Sequence, residues 1–266
     1  MYLLLSNKLR KFALILVTGL CTLVLSACVT TTETLFTEEA SPDKTLEKRV
    51  SLARQYIGEG DWENAERNLK LAVEIDNDNA EVYEAFALLY QSTGEYQLAE
   101  SNFKKAIRLK RKFSRARNNY AAFLYSQGRY RDAADQLEQV VTDTLYSNRP
   151  QAFINLGLCK IQLSDHEGAE RAFTTALSMD RVNSIALLEI AKLRLQDEDV
   201  ESAYRFYESY RKSIRHQGAQ GLWVGVQIAQ LRDDDNAEGS YVLALTNLYP
   251  NSPEYQAYLR SIESDK

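Results

Sequence analysis

The sequence contains few of the residues that build catalytic or metal sites. Its 266 residues include two histidines and three cysteines. No segment matches a paired-cysteine zinc site, a His-Glu-x-x-His helix, a glycine-rich phosphate loop or a nucleophile elbow. His166 and His216 are far apart in the chain and are expected on the surface. We therefore predict that the protein is not an enzyme and holds no cofactor and no metal ion.

The chain also lacks the excess of positive charge that nucleic-acid binding requires. It has 32 basic and 37 acidic residues, a formal net charge of −5. An acidic surface of this kind offers nucleic acid no general attraction. One segment differs, because it concentrates cations: Lys104, Lys105, Arg108, Lys110, Arg111, Lys112, Arg115 and Arg117. Two interpretations remain open, a solvated turn with cations near a helix carboxyl end, or a surface for an acidic partner or lipid headgroups.

No apolar run in the chain is long enough for a permanent membrane span. The longest, residues 13–25, follows Lys8, Arg10 and Lys11 and has the flanks of a secretory signal peptide. It ends in Leu-Ser-Ala followed by Cys28, which resembles a bacterial lipobox. The resemblance implies removal of residues 1–27, a diacylglyceryl group on the Cys28 sulfur and an acyl chain such as palmitate on the new amino terminus. An ordinary cleaved signal with a chance cysteine is the alternative.

The predicted anchor determines the expected location and the state of the cysteines. Val29 stands where an inner-membrane retention signal would place aspartate, so we expect attachment to outer-membrane lipid at the periplasmic face. Residues 28–44 are rich in Thr and Glu and predict a flexible tether with a reach of about 22 Å. With Cys21 removed and Cys28 acylated, Cys159 remains alone and cannot form an intramolecular disulfide. We expect Cys159 to be a small core residue.

The mature part of the chain is built on a repeat. Six alanines recur at nearly equal spacing, with position numbers that differ by 34, 34, 36, 34 and 34: Ala65, Ala99, Ala133, Ala169, Ala203 and Ala237. A large apolar residue follows each alanine by four positions, and another mostly small residue comes three positions later, which places all three on one helical stripe. A period of 34 is that of the tetratricopeptide repeat, a pair of antiparallel helices that must stack on its neighbours.

These features predict an all-α fold over residues 45–266. We expect a right-handed superhelical solenoid of six tetratricopeptide repeats with a short carboxyl-terminal capping helix near residues 254–262. Gly60, Gly94 and Gly128 are predicted to end first helices in the left-handed conformation. The two extra residues between the third and fourth repeats predict a longer loop, with Pro150 in the first turn of the next helix.

A partner is expected on the concave surface, which the first helix of each repeat lines. The residues there that the repeat signature does not use have apolar and polar side chains suited to an amphipathic helix. For the first three repeats they are Val50, Arg54, Ile57, Glu84, Leu88, Gln91, Arg115, Asn118, Ala122 and Tyr125.

Several segments resemble the type IV pilus biogenesis lipoproteins known as PilF or PilW. They are residues 118–125, 127–130, 143–146, 155–158 and 248–256. The lipobox and the six-repeat length agree with the resemblance, which covers essentially the whole mature chain. Two features differ from the family pattern. Ala121 and Ala122 stand where glycines are common, and Tyr125 stands where some relatives have a cysteine that can pair with one matching Cys159.

The resemblance implies a pilotin, a lipid-anchored protein that carries the secretin subunit to the outer membrane and promotes its multimerisation. It points to the first repeats for secretin contact, so Val50, Arg54, Ile57 and Leu88 are the first candidates. We expect the protein to act as a monomer. The alternative keeps the fold and changes the partner, giving an outer-membrane lipoprotein that scaffolds β-barrel assembly factors or peptidoglycan enzymes.

Overall fold

The computed structural model describes residues 41–264, and the regular structure in this range is entirely helical. The predicted signal peptide, the predicted lipidation site Cys28 and most of the predicted tether lie outside the described residues. The described helices are α1 Pro42–Glu59, α2 Trp62–Ile75, α3 Ala80–Thr93, α4 Tyr96–Leu109, α5 Ser114–Ser126, α6 Tyr130–Val140, α7 Arg149–Gln162, α8 His166–Met179, α9 Ser184–Gln196, α10 Val200–Ser213, α11 Ala219–Leu231, α12 Asp235–Leu248 and α13 Pro253–Ser264.

The first helix begins earlier than the sequence predicted. Residues 42–44, expected at the end of the tether, already belong to α1, which starts at Pro42. Proline is tolerated in the first turn of a helix because the N–H that it lacks would have no helical acceptor there. From Leu46 onward the chain forms one compact unit.

The predicted stripe of small and large residues forms the core of the first five repeats. Ala65, Ala99, Ala133, Ala169 and Ala203 are fully buried, as are the residues four positions after each. The small alanines let the two helices of a repeat approach closely, and the large residues fill the space between repeats. The prediction of a solenoid of stacked helix pairs is confirmed.

The sixth repeat is displaced by one position from the predicted register. In the fifth repeat Asp199 is the cap of α10, and the alanine Ala203 follows it by four positions. In the sixth repeat Asp234 caps α12 by accepting a hydrogen bond from the backbone N–H of Ala237, which follows the cap by only three. Ala237 is therefore only half-buried, and Leu245 is the fully buried residue of α12. The prediction that Ala237 marks the sixth repeat is wrong by one position. The extra residue lies in the link between α10 and α11, residues 214–218, which is one residue longer than the link at 180–183 between α8 and α9. An alanine spaced by 34 residues therefore falls one position before the buried site of α12.

Each turn within the six repeats contains a residue with positive φ. Gly60, Gly94 and Gly128 take this conformation in the first three repeats, as predicted. In the last three repeats Ser164, Glu198 and Asp233 take it, with φ of 59°, 59° and 54°. The left-handed conformation costs a residue with a Cβ atom about 1–2 kcal/mol, which packing of the two flanking helices must offset.

The longer loop and the capping helix lie where the sequence placed them. The loop runs from the end of α6 at Val140 to the start of α7 at Arg149, and Pro150 is in the first turn of α7. The capping helix is α13, which packs on α11. No helix among residues 41–264 is both long enough and apolar enough to cross a membrane.

Candidate partner-binding groove

The first helices of successive repeats lie side by side and point in the same direction. Arg115, the second residue of α5, contacts Glu81, the second residue of α3, at 3.0 Å. Asn155 of α7 donates to Asn118 of α5 at 3.3 Å. These contacts join residues 34 and 37 positions apart, so each helix of the row repeats the placement of the one before it. The row provides a continuous surface for a partner.

A buried carboxylate lies beneath this surface. The side chain of Glu84 is only 1% exposed. Arg54 of α1 donates to its Oε2 at 2.6 Å, and the amide of Asn119 in α5 donates to its Oε1 at 2.6 Å. Arg115 adds a second cation at 3.7 Å. A charge removed from water needs such partners, because an unpaired buried carboxylate is strongly unfavourable.

A second carboxylate, that of Glu81, lies nearer to solvent in the same cluster. It contacts Arg115 at 3.0 Å and Arg54 at 3.5 Å. Burial raises the pKa of the Glu81 carboxyl, but the hydrogen bond and charge of Arg115, with the charges of Arg54 and Lys110, outweigh burial and lower its pKa overall. The four charged side chains therefore link α1, α3 and α5 into one electrostatic unit, which we call the charge cluster.

The charge cluster leaves hydrogen-bonding atoms free. Among the described residues, the Nε atoms of Arg54 and Arg115 and the Oε1 atom of Gln91 are buried and have no hydrogen-bond partner. Buried polar atoms are usually paired, so these two donors and one acceptor would gain a partner if their side chains turned toward a bound chain. All three belong to the first helices of the first three repeats.

Seven of the ten predicted groove residues have accessible side chains. Six are half-buried and Ala122 is exposed; the half-buried residues are Arg54, Ile57, Leu88, Gln91, Arg115 and Tyr125. Ile57, Leu88 and Tyr125 pack against the core with one side and leave the other side toward the groove. These residues give the groove an apolar strip beside the charge cluster.

The other three predicted residues are buried. Val50, Glu84 and Asn118 occupy equivalent positions in the first three repeats. In the fourth and fifth repeats the equivalent residues, Ile154 and Leu188, are buried as well. This position packs between neighbouring first helices instead of facing the groove. Val50, which is 1% exposed, is therefore a core residue, and its prediction as a contact is not supported.

Sequence reasoning missed two residues that complete the charge cluster. Glu81 could have been found by stepping back one repeat period from Arg115, since equivalent positions in neighbouring repeats are adjacent. Asn119 was not among the predicted groove residues, and its amide donates a hydrogen bond to Glu84 within the solenoid. Tyr146 of the long loop lies nearby, and its phenol interacts electrostatically with Arg115 and Glu84.

A small apolar cavity continues the groove between α5 and α7. Its volume is about 110 Å³, and its lining residues are Ala121, Ala122, Tyr125, Leu137, Asn155, Leu158 and Cys159. Cys159 is free and buried, and burial raises the pKa of its thiol to about 11. The neutral thiol is thus part of the cavity wall, consistent with the prediction that Cys159 is a small core residue.

The described residues hold no arrangement suited to metal chemistry. No group of three or more His, Cys, Asp or Glu side chains among residues 41–264 is placed to hold a metal ion. His166 begins α8 and His216 lies between α10 and α11, and both are exposed.

Comparison with known proteins identifies several relatives of this chain. A family model described as tetratricopeptide repeat matches residues 84–152 and 154–216. The type IV pilus assembly protein PilF of Pseudomonas aeruginosa is 31% identical over 235 residues, which are 88% of this chain and 93% of PilF.

Solved structures agree with these matches. The structure of Pseudomonas aeruginosa PilF aligns with a TM-score of 0.78 and 32% identity, covering 83% of this chain and 99% of PilF. PilW, described as a widely conserved type IV pilus biogenesis factor, aligns with a TM-score of 0.70 over 81% of this chain and 99% of PilW. PilW is 22% identical, so that likeness supports the fold alone.

Proposed function

This chain belongs to the family of the type IV pilus assembly protein PilF, and from that membership we propose that it acts in type IV pilus biogenesis as a pilotin. In this role it binds the secretin subunit through the groove of its first three repeats. It promotes localisation of that subunit to the outer membrane and its assembly into multimers. The mechanism needs no bond-breaking chemistry, which agrees with membership in a family of repeat scaffolds.

The charge cluster is the observation that best supports binding of the secretin subunit in this groove. It holds α1, α3 and α5 in a defined arrangement while leaving two arginine donors and one glutamine acceptor without partners. Beside it lie Ile57, Leu88 and Tyr125 and the small cavity between α5 and α7. An amphipathic helix or extended segment with an aliphatic anchor and a few polar groups has the complementary chemistry.

The anchoring half of the proposal depends on the sequence before the described residues. We propose that Cys28 is acylated and that the lipid holds the protein at the periplasmic face of the outer membrane. Several acyl chains on one residue exceed the two signals needed for stable anchoring. Secretin bound in the groove would then be kept at the membrane in which it assembles.

The proposal is tested first in cells. The chromosomal copy is deleted and complemented with the wild type or with Cys28→Ala, and the heat-resistant secretin multimer in the outer membrane is measured by immunoblot. We expect the multimer to be lost on deletion, restored by the wild type and reduced or mislocalised with Cys28→Ala. Unchanged multimers in the deletion strain would contradict the pilotin role and favour an envelope scaffold for β-barrel assembly or peptidoglycan enzymes.

A second experiment tests the groove itself. Ala122→Arg adds a long charged side chain at an exposed groove position without removing any core contact. Ser101→Arg adds the same side chain at an exposed position of α4, a second helix, and is the matched control. We expect Ala122→Arg to lower secretin co-purification by at least about tenfold and Ser101→Arg to leave it unchanged. Equal binding by both variants, with equal circular dichroism, would place the secretin contact outside this groove.

A further inference from the structure

Basic residues are segregated in this acidic chain. Residues 104–117 contain eight of the 32 basic residues and no acidic residue. The remainder of the chain therefore has 24 basic and 37 acidic residues, a difference of −13. A segment of opposite sign to the whole molecule produces a local field that attracts anions.

About half of these cations are neutralised or engaged within the protein. Lys104 pairs with Glu100 at 2.7 Å, and Arg115 belongs to the charge cluster. Lys105 lies over the ring of Tyr83 and Lys110 over the ring of Phe113, with the lysine nitrogens 3.7 Å and 5.0 Å from the ring centroids. These contacts account for the cations on the α4 face and in the groove.

The remaining cations gather where α4 turns into α5. Arg108, Arg111 and Lys112 are exposed and make no ion pair with any residue in 41–264. Arg117 donates to the Gln136 side chain and to the backbone carbonyl of Arg111, so its charge also remains uncompensated. We call these four residues the cationic edge. Arg108 lies in the last turn of α4, where a cation is favoured by the helix dipole, but Arg111 and Lys112 lie beyond the helix end.

A depression of about 520 Å³ adjoins the cationic edge and is completed by the long loop. Arg111, Lys112 and Arg117 line one side, and loop residues 142–145 line the other. The single carboxylate in the lining, that of Asp143, accepts hydrogen bonds from the Ser114 hydroxyl and the Leu145 N–H and interacts with the charge of Lys112. Three cations against one carboxylate leave the lining with a net positive charge. Leu145 is 93% exposed, more than any other large apolar residue in the described part of the chain.

The depression lies at a particular edge of the solenoid. Because helices alternate in direction, the links between repeats share one edge with the amino ends of the first helices. The α4–α5 turn and the α6–α7 loop are both such links. The Leu46 end of α1 lies on this same edge. Arg54, about two helical turns after Leu46, contacts Glu81 at the amino end of α3, so the residues of α1 before Arg54 extend toward the edge. The amino end of the compact unit thus lies on this edge.

We propose that the cationic edge binds anionic phospholipid headgroups, with the Leu145 side chain inserted at the lipid interface. The inference rests on the lipid anchoring in the proposed function. Binding of the cationic edge to the headgroups would hold the repeat-linking edge against the bilayer, so that the groove opens parallel to the membrane surface. Clustered cations attract an anionic leaflet. A membrane interface also accommodates an exposed leucine next to those cations, which the polar surface of an acidic protein would not do as well.

Vesicle flotation tests this proposal without the acyl anchor. The mature chain, residues 28–266 with Cys28→Ser, is mixed with vesicles of phosphatidylcholine alone or with about 30% phosphatidylglycerol, at about 0.05 M and about 0.5 M NaCl. We expect binding only to the anionic vesicles and only at low salt. Arg111→Glu/Lys112→Glu should lower the bound fraction by at least about tenfold, and Leu145→Ser by a few-fold.

Matched variants and competitors distinguish the alternatives. Arg131→Glu/Arg205→Glu makes the same charge change at exposed residues in the amino-terminal halves of α6 and α10, away from the repeat-linking edge, and should bind as the parent chain does. No binding to anionic vesicles, or equal loss with both charge reversals, would overturn the proposal. The vesicles are also challenged with about 10 mM inorganic phosphate and with chloride at equal ionic strength. If phosphate displaces the protein from the vesicles more than chloride does, the site binds a free anion instead. Binding of a polyglutamate peptide without vesicle binding would indicate an acidic protein. No secretin is present, so these results are independent of the pilotin test.

Discussion

Glu84 and Cys159 are two single residues whose chemistry depends on burial. Glu84 keeps its contacts to Arg54, Asn119 and Arg115 inside the solenoid, where the local environment makes each hydrogen bond stronger and each lost partner more costly. Cys159 has no such partners and is packed among apolar side chains. Burial thus produces a polar link between helices in one case and an unreactive thiol in the other.

Removal of the Glu84 carboxylate should destabilise the first repeats. Glu84→Ala leaves the Asn119 amide and part of the Arg54 guanidinium without acceptors, and we expect a loss of about 2–4 kcal/mol in the free energy of unfolding. Glu81→Ala, at the more exposed carboxylate of the same cluster, should cost less than about 1 kcal/mol. Urea unfolding followed by circular dichroism measures both. Equal costs would mean that Glu84 is not the centre of the cluster.

The thiol of Cys159 should react slowly in the folded protein. Since burial raises its pKa to about 11, the nucleophilic thiolate is scarce at neutral pH, and the side chain is also shielded from reagent. We expect the rate with a disulfide reagent to be at least about 100-fold lower in buffer than in denaturing urea. The control is Cys159→Ser/Ser126→Cys, which presents a thiol at a more accessible residue. Comparable rates for the two folded chains would contradict the burial argument.

At the scale of helices, close approach within a repeat requires small residues at defined positions. Gly157 in α7 faces Phe173 in α8, and a Cβ atom at Gly157 would lie 2.5 Å from the nearest ring atom. Phe173 is fully buried and cannot swing aside. The α7–α8 pair is therefore specified by the combination of no side chain on one helix and a ring on the other.

Alanine at two helical glycines should have opposite effects. Gly157→Ala forces the α7–α8 pair apart, and we expect it to reduce stability by about 1–3 kcal/mol. Gly58→Ala in α1 meets no atom within 4 Å and removes backbone entropy from the unfolded chain, so it should be neutral or stabilise by up to about 1 kcal/mol. Thermal and urea unfolding of both variants test this. Destabilisation of the same size at both sites would show that helix propensity, not the contact with Phe173, governs the effect.

At the scale of the whole molecule, a solenoid must protect its last repeat. α12 buries only Leu245 fully, and it exposes Leu243 and Leu248. α13 packs instead on α11, where Glu254 lies beside a cavity lined by Trp223 and Val224. Terminal repeats that lack a neighbour need such a cap to keep apolar surface from water.

Deletion of the capping helix should therefore weaken the carboxyl-terminal repeats. A chain that ends at Ser252 uncovers apolar side chains of α11, and we expect its melting temperature to fall by about 5 °C or more and its binding of a hydrophobic dye to rise. A chain that ends at Ser264 keeps α13 and should melt as the full chain does. Calorimetry and dye fluorescence provide the measurements, and identical melting of both chains would show that α13 has no capping role.

The sequence predicted more of the fold than of the groove. The helix pairs, the long loop and the capping helix follow from local signals, because each repeat carries its own small and large residues at a fixed spacing. The sixth repeat was not predicted correctly, since one extra residue in the link between α10 and α11 displaces α12 by one position relative to the spacing of the alanines. Groove residues were assigned by position, and that rule placed Val50, Glu84 and Asn118 on a surface that neighbouring helices cover.

The regular spacing of the alanines thus determined by itself that this chain is a helical solenoid, and the resemblance of its segments pointed to the PilF family. Only the tertiary structure decided which charges meet. Arg54, Glu84 and Arg115 belong to three different repeats, and they come together because stacking brings equivalent helix positions into contact. Stacking likewise leaves Arg111 and Lys112 unpaired beside Leu145, since their neighbours on that edge belong to a different repeat. Periodicity specifies which faces are buried, whereas the pairing of charges depends on distances that exist only after the repeats have stacked.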